Sequence, residues 1–276
     1  MKIKLVVMLA VASWCAACSP PAQNEVSNVG VALYSFNRFS LEEGLQKAKQ
    51  SGVDYVEGFS FQQLGGKFGE KSLVALTDSE FADVRSLLQE NNLHMVSMYA
   101  DGKTIAEWQL LFEKGKQLGM KFLVGEPEPH FWDALDSLAG DYGMKLAIHQ
   151  HAKGQSRFWH PDSVLAALEG HPHFAVCGDL GHWVRSGLDP VECLKQLEGH
   201  LVSIHAKDLD TFGNLDAADV KVGSGIIDYE AVFSTLRRQE FEGFIFVECE
   251  HDWDNNFGDV KAAVDSLTDW NKRNDT

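Results

Sequence analysis

Eight short apolar segments recur along the chain, each followed by a stretch with helical periodicity, and this alternation restricts the fold more than any other feature. The predicted strands are 29–36, 55–59, 94–100, 122–126, 146–152, 174–178, 201–208 and 244–250. Strands that alternate with helices build a parallel sheet, because parallel neighbours need a long crossover between them. The helices have clear start signals. Ser40 with Glu43, Thr77 with Glu80 and Thr104 with Glu107 fit the capping box, in which two side chains satisfy orphan amides at a helix start. Asp189-Pro190 with Glu192 marks another start, with proline in the first turn. Gly52, Gly119 and Gly170 fit helix stops. Leu41, Leu45 and Ala48 share one helix face, as do Phe81, Val84, Leu87 and Leu88, and Ile105, Trp108, Leu111 and Phe112. Such stripes suit helices packed on the outside of a sheet. No linker, repeat of low complexity or charge block divides residues 29–270. The α/β pattern therefore predicts a single (β/α)8 TIM barrel, with a doubly wound sheet as the alternative. The glycine-bearing loop 58–71 is expected to overhang the barrel mouth.

The first residues are expected to stand outside the fold. Lys2 and Lys4 precede an apolar run to Ala12, and Ala16-Ala17-Cys18 follows. Residues 1–17 read as a secretory signal, too short for a span of ~20 apolar residues. The small-small-Cys ending resembles a bacterial lipobox, although Cys15 stands where leucine is usual. The expectation is an exported lipoprotein on the periplasmic side of a bacterial membrane, touching that membrane only through lipidated Cys18. Residues 18–28, with Pro20 and Pro21, form the tether. Ordinary cleavage to a soluble periplasmic protein is the alternative. Loss of Lys2 and Lys4 moves the formal charge from −16 to −18. So acidic a chain is a poor partner for nucleic acid and a poor receptor for heavily phosphorylated substrates. Cys177, Cys193 and Cys249 match no zinc-ribbon spacing and are expected to be buried free thiols.

The chemistry lies where apolar strands turn polar, since barrel enzymes work at the C-terminal ends of their strands. Four successive strands end as Ile148-His149-Gln150-His151, Cys177-Gly178-Asp179, Ile204-His205-Ala206-Lys207 and Val247-Glu248-Cys249-Glu250. Side chains two apart share a strand face. His149, Asp179, His205 and Glu248 are thus expected at similar depth around one volume. Two imidazoles and two carboxylates form a divalent metal site, and donor softness leaves Mn, Co, Fe or Zn open.

Two of these segments and one later loop carry a further pattern. Asp179-Leu180-Gly181-His182, His205-Ala206-Lys207-Asp208 and Gly223-Ser224-Gly225-Ile226-Ile227-Asp228 resemble the D-x-G-H, H-x-K-D and G-x-G-x-[IL]-[DN] elements of xylose-isomerase-like barrel proteins of the sugar isomerase/epimerase type. The strand ending at Glu248 resembles their last strand, with its metal-binding glutamate. The resemblance covers essentially all of 29–270. It implies that Asp179, His205 and Glu248 bind the metal, and that His182 contacts substrate or a metal-bound oxygen. The first ligand of the epimerases is a glutamate; here His149 stands in its place. His149-Gln150-His151 resembles the His-Asn-His variant of a branch with many exported members. Losing one of two glutamates places a two-glutamate epimerisation in doubt.

The resemblance implies proton abstraction beside the carbonyl of a small sugar or keto-sugar, through an enediolate. Glu248, Glu250, His151 and Lys207 are the candidate bases, and Glu57 and Trp183 candidate substrate contacts with His182. Glu126 is a further candidate for the pocket. Trp132, Trp159 and Trp253 are other aromatics able to stack on a sugar, and Arg157 and His160 lie in a loop that could reach it. Isomerisation or epimerisation is the leading expectation. The alternative is a lyase or dehydratase eliminating from a 3-keto-glycoside or keto-polyol, which export favours over sugar phosphates. A non-catalytic sugar-binding lipoprotein is a third reading, disfavoured by the intact cradle. A DNA-repair endonuclease is disfavoured by charge and export.

Overall fold

A computed structural model describes residues 28–273. The expected signal sequence, Cys18 and residues 18–27 of the tether lie outside the described residues. Seven barrel strands come first: β1 Asn28–Ala32, β2 Tyr55–Phe59, β3 His94–Tyr99, β4 Phe122–Gly125, β5 Lys145–His149, β6 Phe174–Asp179 and β7 Leu201–Ala206. A small antiparallel ribbon, β8 Asp208–Leu209 with β9 Asp219–Val220, precedes the eighth barrel strand, β10 Phe244–Val247. The order β1-β10-β7-β6-β5-β4-β3-β2 closes on itself with parallel pairing throughout. This is the expected single (β/α)8 barrel. Nine α-helices are found among the described residues: α1 Leu41–Gln50, α2 Asp78–Glu90, α3 Ile105–Leu118, α4 Trp132–Tyr142, α5 Pro161–Leu168, α6 Leu180–Arg185, α7 Pro190–Gln196, α8 Tyr229–Arg238 and α9 Phe257–Lys272. No helix among the described residues is long and apolar enough to cross a membrane.

Local chemistry explains the boundaries. Ser40 and Thr77 make complete capping boxes with Glu43 and Glu80. Thr104 accepts from the Glu107 amide, but the Glu107 carboxylate accepts from Lys103 N instead, so only half of the expected box forms. Asp189 accepts from Val191 N and Glu192 N ahead of Pro190. Gly119 ends α3 in the left-handed conformation that glycine adopts without steric cost. Six of the predicted strands run past the observed ones at their polar ends, 55–59 matches, and 174–178 stops one residue short. Residues Leu33–Phe36 form a 3-10 turn rather than strand, with Leu33 and Phe36 buried in the core and Tyr34 at the mouth.

Two apolar layers hold the barrel. Ala32, Val96, Phe122, Val124, Ala147, Cys177, Phe244 and Phe246 fill its interior. Phe244 and Phe246 stack with ring centroids 5.8 Å apart, and Gly30 leaves the space that the Phe246 ring needs. The larger cluster joins strands to helices through side chains such as Phe81, Trp108, Phe112 and Phe233. Each such burial contributes about 1.5–3 kcal/mol, whereas an exposed pair such as Lys49–Asp54 contributes about 1 kcal/mol at most. The fold therefore rests on its two apolar layers.

Over the C-terminal face, the loop between β9 and α8 is organised by one buried carboxylate. Asp208 accepts from the amides of Gly223 (2.9 Å), Gly225 (2.9 Å), Ile227 (3.1 Å) and Leu209 (3.0 Å). A side chain at Gly225 would collide with Asp208 and the Leu209 carbonyl, which accounts for glycine there. Asp208→Ala is expected to cost roughly 3 kcal/mol, since charge-assisted bonds are lost and buried amides orphaned. Chemical denaturation reads the loss, and limited proteolysis should cut between residues 210 and 227.

Candidate metal centre

The barrel closes in such a way that four consecutive strands deliver their polar ends to one point. His149 and Asp179 are the last residues of β5 and β6, His205 is next to last in β7, and Glu248 directly follows β10. Asp179 lies in register with His205, and His205 with Phe246, two residues before Glu248. One donor atom from each of the four lies within 4.8 Å of the others. His149 Nε2 is 3.2 Å from His205 Nδ1 and 3.5 Å from Asp179 Oδ2, and His205 Nδ1 is 3.0 Å from Glu248 Oε2. The convergence expected from strand alternation is present.

The outer atoms of both imidazoles are held by carboxylates. His149 Nδ1 faces Glu126 Oε1 at 3.4 Å, and His205 Nε2 donates to Glu57 Oε1 at 2.6 Å. Glu57 is itself held by Ser97 Oγ at 2.6 Å. A carboxylate accepts and does not donate, so each outer nitrogen carries a proton and each inner nitrogen is the one that can offer a lone pair once its own proton leaves. Asp179 Oδ1 accepts from the His182 amide at 2.8 Å and caps α6, while Oδ2 is buried and faces the two histidines and Lys207. The two inner nitrogens, Asp179 Oδ2 and Glu248 form the N2O2 donor set of a divalent cation, and these residues fit one.

Electrostatics agree. Burial lowers His149, but Asp179 and Glu126 outweigh it and push the imidazole up to about 10. His205 is likewise raised well above its ordinary value, against its burial, by surrounding groups that include Glu248 and Glu57. Burial alone would raise Glu248, but His205 and Lys207 hold it well below the usual carboxylate range. Glu250 is moved the other way. Burial raises it most, Lys207 opposes the rise, and the charges of Glu248 and Asp219 add to it.

Lys207 is buried among Glu248 Oε2 (2.8 Å), Asp179 Oδ2 (3.1 Å) and Glu250 Oε2 (3.4 Å). Burial lowers its affinity for a proton, yet these carboxylates raise it well above normal. The expectation of Lys207 as a base is corrected on that ground: it stands as a fixed ammonium, outside the residues that line the cavity. A side chain at Gly181 would collide with the Lys207 stem, so the glycine of one sequence element makes room for the lysine of another.

A cavity of about 250 Å³ opens above the cradle, near the low end of the ~300–1,000 Å³ usual for ligand pockets and suited to one sugar-sized ring. Tyr34, Phe59, Phe61 and Tyr99 make the aromatic part of its lining, and Glu57, Asp101, Glu248 and Glu250 supply carboxylates. Among the described residues, no lysine or arginine lines it. His151 and His182 reach it as expected. His151 Nδ1 contacts Glu126, which also takes Ser156 Oγ. His182 is held neutral, lowered first by burial. Glu57 lines the cavity, but both its oxygens are engaged, which places it behind His205 rather than free for substrate.

Trp183 is a second correction. It is fully buried in the core, where its ring fills the space left by Gly178, because α6 turns that face toward the sheet. Trp132 packs on Phe158, Arg157 pairs with Glu128 and His160 caps α5. Trp253 approaches the mouth through Tyr34, with ring centroids 5.6 Å apart. Loop 58–71 does reach the mouth, through Gly58, Phe59 and Phe61. Sequence reasoning missed Arg185 and Asp219, which pair with each other; Arg185 Nη1 also lies 3.9 Å from Glu250. Arg185 stands one helical turn after His182, a signal that was readable; Asp219 lies on the ribbon and carried none.

A closed parallel barrel carries at its C-terminal mouth a histidine–carboxylate cradle able to hold a divalent cation, beside a cavity. The xylose isomerase-like TIM barrel family model matches residues 45–270, and the chain belongs to that family. It is 30% identical over 133 residues to an inosose dehydratase of Clostridium botulinum, covering 43% of this chain and 44% of that one. It is 24% identical over 268 residues to an inosose dehydratase of Mesomycoplasma hyopneumoniae, covering 77% and 86%. The match thus spans under half of the clostridial relative's length. Among solved structures, an uncharacterised protein of Parabacteroides distasonis superposes with TM-score 0.71 at 31% identity, covering 88% and 98%. The IolI protein with a bound zinc superposes with TM-score 0.73 at 19% identity, covering 87% and 96%, and this shows the shared fold.

Asp179→Ala is expected to abolish zinc binding in calorimetry while leaving the far-ultraviolet dichroism intact. Glu126→Gln should weaken zinc by about 10–100-fold, the usual effect of losing a carboxylate behind a metal histidine. Protons on His149 and His205 must leave before a cation enters, so zinc affinity should rise with pH between pH 6 and 9. An affinity constant across that window would contradict the assigned cradle.

Proposed function

We propose that this protein is a metal-dependent dehydratase that removes water from an uncharged cyclic keto-polyol. The reading is carried by the cradle of His149, Asp179, His205 and Glu248 opening on an acidic cavity that also holds Glu250 and His151. It is supported by relatives named inosose dehydratase. A divalent cation bound there supplies positive charge against the negative charge that develops on a substrate carbonyl oxygen. Manganese, cobalt, iron and zinc all suit the donor set.

The residues of the chain do the rest. Glu250, raised by burial, is the base that takes the proton from the carbon beside the carbonyl. His151, braced on Glu126, donates a proton to the hydroxyl leaving the next carbon. One C–H and one C–O bond break, a C=C bond forms, and water departs. Lys207 and Arg185 hold Glu250 in place. The aromatic part of the lining takes the C–H face of the ring, and its carboxylates accept from hydroxyls while repelling phosphate esters. The signal and lipobox reading places the enzyme on the periplasmic side, anchored at Cys18, where free keto-sugars are the available substrates.

Isomerisation or epimerisation would begin with the same proton abstraction. The relatives' names favour elimination, and His149 in place of a glutamate removes one partner of a two-glutamate proton exchange. The zinc-loaded protein should be incubated with keto-inositols in heavy water and the products weighed by mass spectrometry. Loss of one water is the expected result, with Glu250→Gln lowering kcat about 10²–10⁴-fold while zinc content is unchanged. Deuterium incorporation with epimer or isomer formed and no water lost would replace elimination by the isomerase reading.

A further inference from the structure

The cradle has a floor that the four-residue assignment leaves out. Cys177 lies two residues before Asp179 on β6 and so faces the same way, one layer deeper. It is in register with His149 on β5 and with Ser203 on β7. Its sulfur and one donor nitrogen from each of His149 and His205 lie within 4.8 Å of one another. The two metal histidines therefore belong to two overlapping groups, one completed by carboxylates above and one by sulfur below. The apolar neighbours of Cys177 in the barrel interior include Ala147, Phe244 and Phe246, and Cys177 is completely buried. The other two described cysteines have different settings: Cys193 is buried on α7, and Cys249 lies 3.6 Å from His251 Nδ1.

We propose that Cys177 is a sulfur ligand of the cation and selects soft or borderline ions, zinc, cobalt and ferrous iron, over magnesium and manganese. The proposal rests on the metal-centre reading above. Hard cations prefer oxygen donors, and a thiolate beside two imidazoles favours zinc and its neighbours. On coordination a sulfur–metal bond forms and the S–H proton passes to buffer.

The test uses the full chain, stripped of metal under reducing conditions and titrated with cobalt(II), zinc or magnesium alone. Cobalt-loaded wild type should show the intense near-ultraviolet sulfur-to-cobalt charge-transfer band. The band should persist in a C193S/C249S double variant and vanish in C177S and C177A, with zinc affinity falling at least tenfold and magnesium affinity unchanged. C177S keeps the side-chain volume, and thermal unfolding of the metal-free forms checks that it folds. A cobalt-loaded wild type without the band overturns the proposal regardless of how the variants fold, as does a band that survives in C177S. Failure of wild type to bind any of the three ions would instead overturn the metal centre itself, which separates the two readings.

Discussion

Buried negative charge at the barrel mouth is the constraint from which the rest of the site follows. Asp179, Glu248, Glu57 and Glu250 crowd one end of a low-dielectric barrel, where an uncompensated carboxylate is very costly. Lys207 and Arg185 offset part of that charge. The histidines take up protons against their own burial to offset more. Each of these is a response to the same excess. A divalent cation seated there would take over the balancing charge that the histidine protons supply.

That constraint also explains why elements far apart in sequence are chemically dependent on each other. Gly181 leaves room for Lys207, whose ammonium holds Asp179 and Glu248 together. Asp208, the neighbour of Lys207, gathers the amides of the loop around Gly223 and Gly225. The three sequence elements are thus one packed assembly, in which the glycines serve clearance and the charged residues serve neutralisation. Glu248 and Glu250, two residues apart, are driven to opposite proton affinities by their partners, one toward metal binding and the other toward proton transfer. Environments that separate like groups in this way are what acid–base chemistry requires.

The barrel was legible because alternation of apolar strands with capped amphipathic helices leaves few other closed arrangements. The cradle was legible because β5, β6, β7 and β10 each stop being apolar at the same end. Trp183 was misplaced because its position after Asp179 put it near the mouth in sequence, while the turn of α6 directs its ring into the core. Glu57 and Glu126 looked alike as isolated acids at strand ends. Their place behind His205 and His149 depends on the curvature that brings β2 and β4 within hydrogen-bond reach of side chains on β7 and β5. Lys207 shared a face with His205 as alternation requires, yet its role as a fixed charge came from three carboxylates on two other strands.

Sequence by itself determined the order of elements, the helix boundaries set by caps and glycines, and the identity of the four converging donors, because these depend on local backbone chemistry and on the two-residue period of a strand. Tertiary structure alone decided which imidazole nitrogen faces inward, which carboxylates stay charged and which aromatic rings line the cavity, because those outcomes are set by distances of a few ångströms between strands that meet only when the barrel closes.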